Sequence, residues 1–181
     1  MTVADSDIKV IAGQLGRRPR CVRAVACRCP CGLACVIETA PRLDDGAPFP
    51  TLYYLTCPKA VSAIGTLEAS GEMRQMADRL ASDAGLRQEY QAAHRDYLSR
   101  RDAAARAAGL EPLPAGTPSA GGMPGRVKCL HALAAHELAV PGMNPFGREA
   151  LAAAGKWWQA GPCVAAAEEA ADGGPGAAAV S

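Results

Sequence analysis

Residues 51–58 read Thr51-Leu52-Tyr53-Tyr54-Leu55-Thr56-Cys57-Pro58, and this stretch decides the fold. Six residues rich in β-branched and aromatic side chains predict a strand. The proline that follows cannot continue a ladder but suits the first turn of a helix. Val61, Ile64, Leu67 and Glu68 then recur at helical spacing, so a strand passes into a helix with Cys57 at the junction. Upstream, Val22 and Ala24 alternate with Cys21, Arg23, Val25 and Cys27. Pro30 and Gly32 make a turn, and residues 35–39 return as a second strand. Downstream the pattern is helical. Gly71 breaks the chain before a helix through Met73, Met76 and Leu80. A longer one follows from about Leu86 to Ala108 with Tyr90, His94, Tyr97 and Leu98 inward, then others over about 126–139 and 147–158. A first short helix, capped by Asp5 or Ser6, carries Ile8, Ile11 and Leu15 and ends at Gly16. The expected class is α+β: about three antiparallel strands packed by four to six helices.

Composition bounds the rest. Of 181 residues 49% are nominally hydrophobic, but 39 are alanine, and Leu, Ile, Val and Phe together number 31. That is a modest core. The expectation is one globular domain over 1–164, with residues 109–125, rich in proline and glycine, as a wrapping loop. Residues 165–181 hold alanine, glycine and acidic residues and read as a disordered tail. No run approaches a membrane span, and Met1–Lys9 carries two aspartates and no apolar stretch, so the expected compartment is the cytoplasm. A formal charge of +1 argues against general nucleic-acid binding, although Arg17, Arg18, Arg20, Arg23 and Arg28 form a local basic run.

Eight cysteines are too few for a disulfide scaffold and, in a reducing compartment, read as buried thiols, metal ligands or nucleophiles. Cys27, Cys29, Cys31 and Cys35, with Cys21 upstream, suit zinc or an iron–sulfur cluster, and equally a hairpin of small buried side chains. Cys57, before a helix that begins with proline, lies where the helix field favours a thiolate, whether nucleophile or ligand. Lys128-Cys129-Leu130-His131, with His136 beyond, is a third group. On one regular helix His131 would point about 200° away from Cys129, so the two meet only if the helix begins after Cys129. Gly121, Gly122 and Gly125 before Arg126 and Lys128 form a candidate anion seat, without the P-loop signature. Asn144 reads as a helix cap.

The blocks R-C-P-C-G at 28–32, F-P-T-L-Y-Y-L-T-C-P at 49–58, A-I-G-T-L-E at 63–68, G-G-M-P-G-R-V-K-C-L-H at 121–131 and N-P-F-G at 144–147 resemble the bacterial domain-of-unknown-function family 501. The alanine-rich composition and G-P-C-V at 161–164 resemble its actinobacterial branch. The resemblance, over about residues 8–164, implies no established activity. It places Cys29, Cys57, Cys129, His131 and His136 in blocks typical of the family. The resulting expectation is a metal site, zinc first and an iron–sulfur cluster second, made by Cys29, Cys57 and Cys129 with His131 or His136. The rival is an enzyme with Cys57 as nucleophile, His131 or His136 as base, and Arg126 and Lys128 holding an anionic substrate. A third reading, an adaptor for division or envelope proteins, rests on the family's gene neighbourhood.

Overall fold

The computed structural model describes residues 3–43 and 45–164. The expected tail at 165–181 lies outside them. Among the described residues there are six helices and one three-stranded antiparallel sheet of order β1-β2-β3, an α+β arrangement. The elements are α1 (Asp5–Leu15), β1 (Val22–Arg28), β2 (Ala34–Thr39), β3 (Tyr53–Leu55), α2 (Pro58–Ala69), α3 (Glu72–Ser82), α4 (Ala84–Ala107), α5 (Leu130–Ala139) and α6 (Pro145–Ala154).

In β3 the tyrosine pair splits by the strand's period of two. Tyr53 and Leu55 are buried and Tyr54 is exposed. The strand is shorter than expected, but pairing extends past both ends: Thr39 N donates to the Leu52 carbonyl and Thr56 N to that of Cys35, each at 2.8 Å. β2 is central, in register Val36 opposite Leu55 and Val25 opposite Ile37. One side of the sheet meets α1, where Ile37 packs with Ile11 and Ala34. The main core contains Val36, Leu52 and Tyr53 together with Ile64 of α2, Tyr90 and Tyr97 of α4, Leu130 and Leu133 of α5, and Phe146 of α6. The alternation expected in β1 is not kept. Register shifts interrupt its pairing between Val22 and Ala24, between Val25 and Cys27 and again before Arg28, and six of its seven residues are half-buried.

Three helix starts differ from the sequence reading. At α1 the N-cap position is Ala4, so Asp5 and Ser6 lie inside the helix and the acidic first turn faces the helix dipole instead. α5 begins at Leu130, with Cys129 as its extended N-cap, rather than near Arg126. Gly121 and Gly122 are the reason. Both have positive φ, and the turn they form returns Lys128 N to the Gly121 carbonyl at 2.7 Å and Arg126 N to that of Gly122 at 2.9 Å. A Cβ on Gly122 would stand 2.6 Å from the Arg126 carbonyl oxygen. α6 begins at Pro145, and Asn144 caps it by accepting Gly147 N at 2.9 Å.

α4 is the longest helix and fastens the 109–125 segment. Buried Arg101 donates to the Pro118 carbonyl at 2.7 Å and the Thr117 carbonyl at 3.3 Å, and His94 Nδ1 pairs with Ser119 Oγ at 2.9 Å. Tyr97 Oη, from the same helix, accepts Leu52 N at 2.6 Å. Tyr97→Phe is therefore expected to lower stability by about 1–3 kcal/mol, because it strands a buried backbone donor. Urea unfolding with an unchanged m-value and an unchanged midpoint would contradict this.

Candidate metal centre

Helix α2 organises two separate groups of ligand-type side chains. At its C-terminal half, Glu68, Cys129 and His131 place one potential ligand atom each within 4.8 Å of the others. Among the described residues this is the one set of three with that property. It exists because Cys129 is an N-cap and not a helical residue, which brings it onto the same side as His131. Glu68 reaches across from α2 and its Oε1 accepts Leu130 N at 2.6 Å and His131 N at 3.4 Å. The same oxygen stands 3.1 Å from His131 Nδ1, and His131 Nε2 stands 3.0 Å from the Val61 carbonyl. That carbonyl can only accept, so Nε2 carries a proton. The ring lies across Gly65, where a Cβ would be 3.9 Å away. The Cys129 side chain, opposed by burial and helped by the Val61 carbonyl and Glu68, raises the His131 pKa to about 9. Both His131 and Glu68 are about one-quarter exposed, at 27% and 25%, so small molecules can reach the group.

The second group surrounds the start of α2. Cys57 is fully buried at the N-cap, with its N–H directed at the Cys35 carbonyl at 3.4 Å. Its sulfur interacts with the neighbouring Cys35 and Cys163 thiols at the start of α2, and no side-chain hydrogen bond from Cys57 caps the helix. The Cys35 interaction is the largest; it holds Cys57 well below the usual thiol range and pushes Cys35 up. The Cys29 and Cys31 thiols interact with each other. Burial pushes Cys29 and Cys163 up to about 11. Cys31 and Cys163 sulfurs are 3.9 Å apart, and Gln14 Nε2 donates to Cys163 Sγ at 3.3 Å.

The residues expected to form one Cys₃His set thus divide. Cys129 and His131 lie together with Glu68, while Cys29 and Cys57 lie with Cys31, Cys35 and Cys163. Glu68 lies eleven positions after Cys57, about 16 Å along the helix. His136 belongs to neither group. Its fully buried ring donates from Nε2 to Asp96 Oδ2 at 3.1 Å and accepts from Asn144 Nδ2 at Nδ1 at 3.3 Å. Both nitrogens are engaged by protein, so none is left for an ion. Cys57 as nucleophile has a matching difficulty: its side-chain partners are thiols, not histidines.

Arg126 and Lys128 line a groove against α4, with His94, Leu98 and Pro124. The anion received by the α5 N-terminus is the Glu68 carboxylate, because it occupies the N–H groups that a substrate anion would use. In the basic run, Arg23 pairs with Glu38 at 3.1 Å and Arg28 with Asp7 at 2.8 Å. The sequence reading missed Glu68 and Cys163 as members of the two groups. Each sits in a recognisable block, A-I-G-T-L-E and G-P-C-V, but at 61 and 106 residues from Cys129 and Cys57. No helix among the described residues is long and apolar enough to cross a membrane.

Comparison with characterised proteins and with solved structures gave no match. Residues 25–152 match the family described as "Protein of unknown function (DUF501)". That span holds β2, β3, the last four residues of β1, all of α2 to α5 and nearly all of α6, with every residue of the Glu68, Cys129 and His131 group. The chain belongs to this family of proteins of unknown function.

Proposed function

We propose that the protein binds a divalent transition-metal ion of the zinc class through Glu68, Cys129 and His131. The observation that carries the reading is the convergence of a carboxylate oxygen, a thiol and an imidazole nitrogen from two elements within 4.8 Å. Such a mixed O, S and N donor set suits zinc. The Val61 carbonyl supports it as an outer partner, since it holds the proton on Nε2 and leaves Nδ1 to face the ion. Three protein ligands leave a fourth position for water or substrate, the arrangement of zinc sites that activate water or polarise a carbonyl.

Metal analysis of untagged, full-length protein tests this. The expected result is an ion whose binding is lost, by tenfold or more in affinity, in Cys129→Ser and in His131→Ala. Metal content and affinity unchanged in both variants would refute the reading.

The same contacts favour a second reading. Cys129 beside His131, itself oriented by Glu68, has the form of a nucleophile with its base and positioning carboxylate. The two readings part on alkylation. A ligand Cys129 is protected from iodoacetamide until a chelator removes the ion, whereas a nucleophile reacts at once in protein that holds no metal at this site.

A further inference from the structure

The four cysteines Cys29, Cys31, Cys57 and Cys163 come from three distant parts of the chain and meet beneath the β1–β2 turn. Their sulfurs follow one another in a ring. Cys31 lies 3.9 Å from Cys163, while Cys29 interacts with Cys31, Cys163 with Cys57, and Cys57 with Cys29 through electrostatics at longer range. We propose that these four cysteines form a second, structural metal site for a single tetrahedral zinc-class ion, distinct from the Glu68, Cys129 and His131 site.

Geometry carries the argument. Four sulfurs at about 2.3 Å from one ion stand about 3.8 Å from one another, which the Cys31–Cys163 spacing already meets. No trio other than the Glu68 group lies within 4.8 Å on all sides among the described residues, so the four sulfurs stand wider apart than a bound ion would hold them. One change of side-chain rotamer at Cys29 or Cys57 moves a sulfur by a few ångströms and closes the gap.

The chain path is a second sign. The Cys29-Pro30-Cys31-Gly32 turn, with Gly32 N closed onto the Cys29 carbonyl at 2.8 Å, supplies two of the four sulfurs. Cys35, the fifth cysteine, interacts with Cys57 and completes the surroundings.

The charge is also matched. Four thiolates around a divalent ion leave a net charge of about −2. The N-terminus of α2 faces Cys57, and Lys59 Nζ, from the first turn of that helix, donates at 2.9 Å to the Ala160 and Gly161 carbonyls that lead into Cys163. The ion would therefore tie the segment after α6 to the hairpin and to α2, a cross-link of the kind that a chain with few large apolar residues needs.

Metal stoichiometry under reducing conditions tests the proposal on the full chain. Two zinc equivalents are expected when both sites are filled. Cys31→Ser with Cys163→Ser should lose one equivalent and keep the other; Cys129→Ser with His131→Ala should do the reverse. If only the Glu68 reading is wrong, one equivalent remains and follows Cys31 and Cys163. Should the double serine variant fail to fold, the parent protein still decides. Cys31 and Cys163 are only half-buried, so their alkylation should be slowed at least tenfold by bound zinc and restored by a chelator, both together. Zinc content indifferent to Cys31 and Cys163, alkylation of both in zinc-loaded protein, or iron with sulfide in place of zinc would each overturn the single-ion site.

Discussion

Gly147→Ala is expected to destabilise the protein by about 3 kcal/mol, toward the upper part of the range for overpacking. For a domain of this size that is about 10 °C in the midpoint of thermal unfolding. Gly147 is the third residue of α6, where alanine would ordinarily be the better helix former. Here the propensity gain is overruled. A Cβ at this position would overlap the Leu133 carbonyl oxygen and stand 2.8 Å from Glu137 Cβ, both on α5. A carbonyl on a helix cannot rotate aside as a side-chain tip can, so α6 must back away from α5. Glu137 resists that movement, since its carboxylate accepts Gly142 N and Asn144 N at 2.7 Å each and so fixes the turn between the two helices. The strain would reach the core through Phe146, which packs edge-on to Tyr90 at 4.9 Å. Differential scanning calorimetry would settle it, and a midpoint equal to or above that of the parent would show that the helices are not in contact at this point.

The same segment shows why parts of this fold were legible in the sequence and parts were not. Local rules worked where one residue's covalent properties decide the outcome. Pro58 starts α2 and Asn144 caps α6. They failed where a distant contact decides. The bulges of β1 follow from its pairing with β2, and no alternation within residues 21–29 reveals them. The start of α5 was legible only as a condition: Cys129 and His131 meet if the helix begins after Cys129. What satisfies that condition is the Gly121–Gly122 turn together with the Glu68 carboxylate brought in from α2. Glu68 looked like one more position on a helical face because its partner lies sixty-odd residues downstream. Cys29 and Cys57 were recognised as chemistry-bearing, but their grouping with Cys129 followed from the family resemblance and not from place. A helix of twelve residues stands between the two ends, and only the three-dimensional path of α2 shows it.

Histidines 131 and 136 make the same point in reverse. They share a helix and a residue type, and their surroundings separate them. His136 is fully buried, stacked on Tyr53 at 5.9 Å and edge-on to Tyr97 at 5.2 Å. Removing it should rank among the most damaging single changes in the protein. His136→Ala leaves a cavity in the core, takes the partner from Asp96 and leaves the Asn144 amide half-satisfied. The expected loss is about 3 kcal/mol or more.

The same geometry fixes a pH dependence. Burial lowers the His136 pKa against the opposing pull of Asp96, with Arg100 lowering it further and Glu137 raising it; the Tyr53 and Tyr97 rings that enclose it stay neutral in this range. A histidine whose folded pKa is depressed binds its proton more weakly in the folded than in the unfolded chain. Its contribution is therefore complete above the unfolded value of about 6.5 and is lost as pH falls toward the folded value. Asp96 adds to this at lower pH. Its pKa is lowered, against burial, by hydrogen bonds from Arg100 and His136, so its stabilisation is present above about 3.9 and lost as pH falls through the folded value. Urea unfolding of the parent should weaken steadily from pH 6.5 to pH 5, and His136→Ala should show a distinctly shallower slope over that window. Equal slopes in parent and variant would mean that the imidazole already carries its proton in the fold, and the neutral ring between Asp96 and Asn144 would have to be abandoned.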